Sequence, residues 1–252
     1  MNRNEKLLAV EARINLGIGL LDPIESIENL IFKKTGISII KKRIPVDISG
    51  ICSRISDGIM AILVNTSFSI GRQNFTIAHE YYHLMYDKDL DKYEKEKEAR
   101  ANTFASYFIM PEAALDYYLE KKKISRKKDS LTPDDVIEIS AHFKMSYLAT
   151  IVRLEKNEKL LSKEKANEYI GLNAKELAVS NGIFTDLYDV TEEEFSAKTD
   201  YVEEVKKALE NEKITVGKYE ALLLEGGFED VVFGLDENDY GVVVDGRIED
   251  YM

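Results

Sequence analysis

Two histidines bracket a glutamate in the segment His79-Glu80-Tyr81-Tyr82-His83, and this spacing constrains the fold more strongly than any other feature of the sequence. Residues four apart share one face of an α-helix, so a helix here lets both imidazoles reach the same metal ion. Glu80 then lies beside the pair, where a carboxylate can act as a general base toward a water molecule. The spacing therefore predicts a helix that carries a metal site on His79 and His83.

A catalytic zinc site usually has three protein ligands and one open position, so this pair needs a third donor. The remaining histidine of the chain, His142, lies beyond a proline and a long basic linker. Three glutamates lie closer along the chain, at Glu94, Glu96 and Glu98. Glu94 and Glu96 are typical of the solvated start of a helix, which favours Glu98 as the third ligand.

The residues that follow Glu98 indicate that its side chain faces inward. Ala101, Asn102 and Ala105 follow it at helical spacing. Small alanines on this face let two helices approach closely enough to share one ion. Asn102 lies one turn after Glu98 and is a candidate to orient a ligand through a hydrogen bond.

Three runs rich in β-branched residues precede the motif, at Ile37–Ile44, Ile48–Ile55 and Ile59–Asn65. Asp57-Gly58 lies between the second and third runs and is typical of a tight hairpin. The sequence therefore predicts a small antiparallel meander of three strands. The last run is apolar almost throughout, so the strand either packs on both faces or lies beside a cleft. As an edge beside the metal-binding helix, it can pair with an extended substrate.

Helical periodicity predicts most of the remaining elements, which gives an α+β fold with a mainly helical domain. A first helix is expected between Asp22 and Gly36. The later predicted helices are Asn74–Tyr86, Lys95–Ile109, Glu112–Lys122, Pro133–Phe143, Ser146–Asn157, Asp200–Asn211 and Val216–Glu225. The pair at Pro133–Phe143 and Ser146–Asn157 resembles a helix-turn-helix, but its second helix has few basic side chains. We therefore expect a structural helix pair and no direct binding of nucleic acid.

The net charge of −12 is concentrated in the last quarter of the chain. Residues 189–252 carry 19 acidic and 6 basic side chains, a net charge of −13, whereas the rest of the chain is close to neutral. This shift separates an acidic α+β region at 189–252 from the rest of the chain. We expect the rest to form a domain at 1–160 that includes the helix pair, followed by a helical connection at 161–188. The acidic surface repels DNA phosphates and can attract a basic partner; the alternative is that it only aids solubility.

A capping box and the apolar stripe Ala221, Leu222 and Leu224 indicate that the acidic region is folded. Thr191-Glu-Glu-Glu194 is typical of a capping box at the start of a helix. The segments Val231–Gly234 and Gly241–Asp245 are predicted to form a closing hairpin.

A single cysteine, Cys52, excludes an internal disulfide and a cysteine-rich metal cluster. The apolar runs are too short to span a bilayer, which needs about 20 residues, and the start of the chain does not resemble a signal peptide. We therefore expect a cytoplasmic protein without a membrane partner, in which Cys52 is a small buried apolar residue.

Two segments of the chain resemble the ImmA/IrrE family of metallopeptidases. The segment Arg72–Leu84, with the sequence RQNFTIAHEYYHL, is similar to the family's active-site helix. The segment Glu98–Ala105, followed by Met110-Pro111, is similar to its second motif, in which the glutamate is the third metal ligand. The resemblance covers about Asp22–Leu160 and implies a zincin-like fold with Glu98 as the ligand. Tyr81-Tyr82 occupies the place of a small residue in the family, which predicts a narrower cleft.

The resemblance implies that the protein is a cytoplasmic zinc-dependent endopeptidase that cleaves a helix-turn-helix repressor and thereby derepresses genes of a mobile element or a stress response. Manganese or iron is an alternative metal for two imidazoles and a carboxylate. A second interpretation is a toxin-like or regulatory module that uses the same fold to hold a partner with little turnover. A weaker one is hydrolysis of a non-peptide amide. Peptide hydrolysis also needs a donor for the oxyanion, for which Arg72, Tyr107 and Tyr86 are candidates.

Overall fold

The fold is described from a computed structural model, which covers residues 4–54, 58–88, 90, 94–190 and 195–234. The chain divides into two compact units, residues 1–199 and 200–252. The predicted acidic region, 189–252, thus has residues in both units. Within the described ranges, every helix is too short or too polar to cross a lipid bilayer.

The first unit contains one sheet and the helices that pack on it. Its strands are β1 (Ser38–Lys42), β2 (Gly50–Arg54), β3 (Met60–Asn65) and β4 (Phe195–Lys198). Its helices are α1 (Glu5–Asn15), α2 (Ile27–Thr35), α3 (Ile70–Tyr86), α4 (Lys95–Ile109), α5 (Glu112–Lys122), α6 (Pro133–Phe143), α7 (Tyr147–Val152), α8 (Lys163–Ile170) and α9 (Ala174–Ser180). A π-helical turn, Arg153–Asn157, continues α7, and a 3₁₀ turn spans Asp186–Tyr188.

The sheet has the strand order β2-β3-β1-β4, so the predicted three-stranded antiparallel meander is wrong although the α+β class is correct. The pair β2–β3 is antiparallel, as the hairpin signal indicates, but β1 pairs with β3 in parallel. The fourth strand joins β1 antiparallel from a distant part of the sequence. The local hairpin signal could identify only the β2–β3 neighbours, because the other pairings depend on long connections.

The apolar strand β3 occupies an interior position of the sheet and not an edge, which corrects the prediction for Ile59–Asn65. Ile62 and Val64 are fully buried, since β3 is covered by α3 on one face and flanked by strands on both sides. Strand β2 is the edge instead, and its Gly50 is so close to α3 that a Cβ there would overlap Cγ2 of Thr76.

A buried asparagine organises the connection that carries the chain from β1 to this edge. The side-chain amide of Asn65 donates to the carbonyl oxygens of Ile44, Val46 and Ile48 at 2.9–3.1 Å. Its carbonyl oxygen accepts from the backbone amides of Ile44 and Ser67. The end of β3 therefore fixes the loop that places β2 on its far side.

Helices α3 and α4 pack through a layer of aromatic rings. Tyr81 and Tyr82 are buried, and their rings lie 6.2 and 5.3 Å from that of Phe104. Their bulk therefore fills the core between the two helices. The similarity to the family motif had predicted instead that these side chains narrow the cleft.

The turn between α6 and α7 lies against the first turns of α3. The side-chain amide of Asn74 donates to the carbonyl oxygen of Lys144 at 2.9 Å. A Cβ on Gly71 would come within 2.9 Å of the backbone of Ser146, so only a glycine allows this approach. The contacts agree with a structural role for the helix pair.

The second unit contains α10 (Tyr201–Glu210), α11 (Val216–Glu225) and α12 (Glu229–Phe233). The first two of these helices confirm the helices predicted at Asp200–Asn211 and Val216–Glu225. Val231–Phe233 is helical and not the predicted strand, because a short apolar run does not distinguish a strand from a helix. The other half of that hairpin, Gly241–Asp245, and the capping box at Thr191–Glu194 lie outside the described residues.

Candidate metal centre

Helix α3 directs His79 and His83 toward one point. Their Nε2 atoms are 3.0 Å apart, and the two side chains are only 13% and 11% exposed. Tetrahedral zinc with ligands about 2.0–2.1 Å away holds them roughly 3.4 Å apart, which is close to this separation. The i, i+4 spacing thus brings the two nitrogen atoms together as predicted.

Helix α4 brings a carboxylate to the same point. The Oε2 atom of Glu98 lies 3.2 Å from Nε2 of His79, and Oε1 lies 3.6 Å from Nε2 of His83. Ala101 and Ala105 are fully buried, as expected for the face on which α4 approaches α3. In the described part of the chain, these three residues are the one group of His, Cys, Asp or Glu side chains that can offer three ligand atoms within 4.8 Å of one another.

Each histidine has a partner on its other ring nitrogen. Asn102 Oδ1 lies 3.0 Å from Nδ1 of His79, in the orienting position that its spacing predicted. Asp87 Oδ2 lies 2.6 Å from Nδ1 of His83, an interaction that the sequence analysis missed. The signal was present in the sequence, because Asp87 follows His83 by four residues.

These partners determine what the three converging groups can bind. A carboxylate and an amide oxygen only accept hydrogen bonds, so Asp87 and Asn102 place a ring proton on Nδ1 of each histidine. Both Nε2 lone pairs then face each other and the Glu98 carboxylate. Lone pairs this close repel unless a cation lies between them, so the donor set fits a divalent metal ion.

Burial also favours the neutral, metal-binding form of His79. Desolvation lowers the pKa of His79 below its ordinary value, and the charge of Glu80 opposes this shift. Glu98 is 34% exposed in its side chain, so the cluster is open on that side.

Glu80 lies between the histidine pair and the edge strand β2. A Cβ on Gly50 would be 3.6 Å from Cγ of Glu80. Burial raises the pKa of the Cys52 thiol, and the adjacent Glu80 carboxylate raises it further. Cys52 is therefore a protonated, partly buried side chain beside Glu80. The backbone edge of β2 passes next to the candidate base.

The other candidate ligands lie elsewhere. Glu94 is near Lys97, and Glu96 forms an ion pair with Arg100. The His142 ring packs on that of Tyr118, with ring centroids 4.5 Å apart.

The three candidate oxyanion donors are not brought together. Arg72 lies over the ring of Phe68 in the first turn of α3. Tyr107 stacks on the buried guanidinium of Arg153 at 3.6 Å, and Tyr86 packs against Phe104 in the aromatic layer. These contacts give each residue a packing role, and the identity of the oxyanion donor stays a prediction.

Residues 32–155, just under half of the chain, match the model of the peptidase M78 family, described as the IrrE N-terminal-like domain. The match contains the whole cluster and confirms the resemblance to the ImmA/IrrE metallopeptidases. A search of the curated proteins found no match. Among solved structures, a Mycobacterium tuberculosis transcriptional regulator is 19% identical in sequence with a TM-score of 0.42. That match covers 60% of this chain and 46% of the regulator chain.

Proposed function

We propose, from the match of residues 32–155 to the peptidase M78 family, that the protein is a zinc-dependent endopeptidase with a narrow protein substrate. The observation that carries the proposal is the convergence of His79, His83 and Glu98, with the two histidines oriented by Asn102 and Asp87. Two imidazoles and a carboxylate are typical of catalytic zinc, and manganese is the alternative.

The chain's own residues have distinct roles in this reaction. When bound, the metal acts as a Lewis acid toward the scissile carbonyl and the attacking water. Glu80 accepts the proton of that water and passes it to the leaving amine. Asn102 and Asp87 keep the Nε2 atoms of the histidines unprotonated.

Strand β2 is the proposed binding edge for the substrate. It has a neighbour on one side in the described sheet, so backbone groups on its other side are available to an extended peptide. Gly50 and Cys52 bring this edge next to Glu80. A peptide paired with β2 therefore passes the candidate base, which replaces the predicted pairing with β3.

The proposed substrate is a basic helix-turn-helix repressor encoded near this gene, as the ImmA/IrrE resemblance implies. The net charge of −13 at residues 189–252 supports this class, because an acidic region attracts a basic protein and speeds its association. It also repels phosphate groups, so we propose no direct contact with nucleic acid. Because such a repressor binds DNA, we propose that the reaction takes place in the cytoplasm.

The test compares the zinc-loaded wild-type protein with Glu80→Gln. The amide keeps the size of the side chain but does not take up a proton, so cleavage should fall by about 10²–10⁴-fold while zinc content is unchanged. The neighbouring gene's product is incubated with each protein, and fragments are identified by mass spectrometry. Removal of the metal with a chelator should stop cleavage, and added zinc should restore it.

Unchanged cleavage by zinc-loaded Glu80→Gln would show that Glu80 is not the base. Tight binding of the partner without any fragments would favour the alternative, a regulatory binding module. Fragments made by a protein that lacks metal would contradict metal-dependent hydrolysis.

A further inference from the structure

Alternate residues of the edge strand β2 face the metal-binding helix α3. Gly50 and Cys52 lie beside Glu80, and Arg54, two residues further on, reaches the end of the same helix. This alternation follows from the two-residue period of a strand. One face of β2 therefore contacts α3 from its middle to its C-terminus.

The guanidinium of Arg54 binds carbonyl groups in the last turn of α3 and just beyond it. Its Nη2 donates to the carbonyl oxygens of Leu84 at 2.5 Å, Asp87 at 2.6 Å and His83 at 3.1 Å, and its Nε donates to that of Leu84 at 3.2 Å. The last carbonyls of a helix have no partner within the helix and carry its negative dipole end. The planar guanidinium of an arginine can donate hydrogen bonds to several of these carbonyl groups at once.

The contact with Arg54 also holds the backbone of Asp87. This residue follows the last turn of α3 with extended backbone angles, φ −86° and ψ 136°. Its amide donates to the carbonyl oxygen of His83 at 3.2 Å, and its own carbonyl accepts from Arg54. Its carboxylate meanwhile accepts from Nδ1 of His83. Arg54 thus holds the backbone of the residue that orients a candidate metal ligand.

We propose that Arg54 is a positioning residue for the metal site, which acts through Asp87 to orient His83 and links the substrate-binding edge to the metal-binding helix. The inference rests on the metal site of the proposed function. It makes a prediction opposite to that of simple electrostatics. Loss of a positive charge near a cation site should tighten metal binding, whereas loss of the Asp87 support should weaken it.

The experiment titrates the full-length, metal-free protein with Co²⁺ alone, and follows the visible absorption of the bound ion. Asp87→Ala should weaken Co²⁺ binding by about 10–100-fold, the usual effect of removing a partner of a metal-bound histidine. Arg54→Gln should weaken it by about 10-fold and change the spectrum. Arg43→Gln is the charge control, because Arg43 is an exposed arginine that follows β1, and it should bind Co²⁺ like wild type.

The double variant Arg54→Gln/Asp87→Ala separates positioning from general stability. If Arg54 acts through Asp87, the double variant binds Co²⁺ as weakly as Asp87→Ala, within about twofold. Arg54→Lys keeps the charge without the fork and should be intermediate, and it replaces Arg54→Gln if that variant does not fold. Thermal unfolding of the metal-free proteins checks folding.

Three results would overturn the inference. These are wild-type affinity in both Arg54 variants, tighter binding in Arg54→Gln, and losses that multiply in the double variant. Failure of the wild-type protein to bind Co²⁺ would overturn the proposed metal function together with the inference. Wild-type binding with unaffected Arg54 variants would overturn the inference alone.

Discussion

At the scale of single residues, the candidate site depends on which carboxylate of α4 faces α3. Glu98 lies within 3.6 Å of both histidines, whereas Glu96 is paired with Arg100 on the exposed face of the same helix. The two glutamates are two residues apart and differ in orientation only, so they form a matched pair for mutagenesis.

Glu98→Gln should weaken zinc binding by more than about 100-fold, because it removes a charged ligand and not only an orienting partner. Glu96→Gln should bind zinc like wild type. The measurement is the dissociation constant from competition with a chromogenic chelator. Equal affinities in the two variants would remove Glu98 from the ligand set.

His142, the rejected alternative ligand, affects stability in acid. Burial lowers the pKa of His142, the charges of Lys121 and Lys122 lower it further, and Glu25 opposes them. The unfolded chain therefore takes up the proton first as the pH falls. Stability should decrease from about pH 6.5, the ordinary pKa of histidine, down to the lower pKa of the folded state.

His142→Gln removes this contribution, so its unfolding midpoint in urea should change less between pH 7.5 and pH 5 than that of wild type. Both proteins are measured without metal. The half-exposed position makes the difference small. An identical acid sensitivity in both proteins would show that His142 does not contribute.

At the scale of elements, the site depends on how closely the edge strand β2 approaches α3. Gly50 has no side chain, and an added Cβ would overlap the methyl group of Thr76 and lie 3.0 Å from the carbonyl oxygen of Leu63. Thr76 precedes Glu80 by one turn of the same helix. A residue larger than glycine therefore displaces the strand from the candidate base.

Gly50→Ala should destabilise the protein by about 1–3 kcal/mol, as overpacking usually does, and reduce kcat/KM. Thr76→Ser removes the overlapping methyl group, so the double variant Gly50→Ala/Thr76→Ser should recover part of both losses. Thr76→Ser alone is the control. If the effects of the two single variants simply add in the double variant, the overlap with the Thr76 methyl group is not the cause of the losses in Gly50→Ala.

At the scale of the whole molecule, residues late in the sequence bind to the sheet and to the start of α3. The amide of Ile70 at the start of α3 donates to the carbonyl oxygen of Asp189, and β4 adds Phe195–Lys198 to β1. The hydroxyl groups of Ser38 and Thr199 lie 3.0 Å apart. A domain boundary after Tyr188, where the acidic residues become frequent, would cut Asp189, β4 and Thr199 away from the residues that they contact in the first unit.

A chain that ends at Thr199 should therefore be more stable than one that ends at Tyr188. Cross-strand pairs contribute about 0.2–1 kcal/mol each, so loss of the four pairs of β4 should cost roughly 1–4 kcal/mol. Urea unfolding of both chains measures the difference. Equal midpoints would show that β4 does not stabilise the sheet. If the longer chain cleaves the proposed repressor substrate with the salt dependence of the full chain, residues 200–252 do not steer that substrate.

Patterns within a few turns of chain could be recognised in the sequence. The spacing of His79 and His83 places both on one face wherever the segment is helical, and the alanines after Glu98 indicate the buried face of α4. The Asp57-Gly58 pair identified the neighbours β2 and β3. Each of these inferences needs only the period of a helix or a turn, which the local sequence determines.

Other features were decided by contacts between distant segments. The parallel pairing of β1 with β3 depends on the loop that Asn65 holds, and β4 lies more than 150 residues along the chain from its partner β1. Arg54 is an ordinary charged residue until the sheet brings it to the end of α3. The sequence by itself thus determined the helix, its two histidines and the favoured carboxylate. Only the tertiary structure decided which strand lies at the edge and what orients the ligands, because hydrogen bonds between remote segments have no periodic signature.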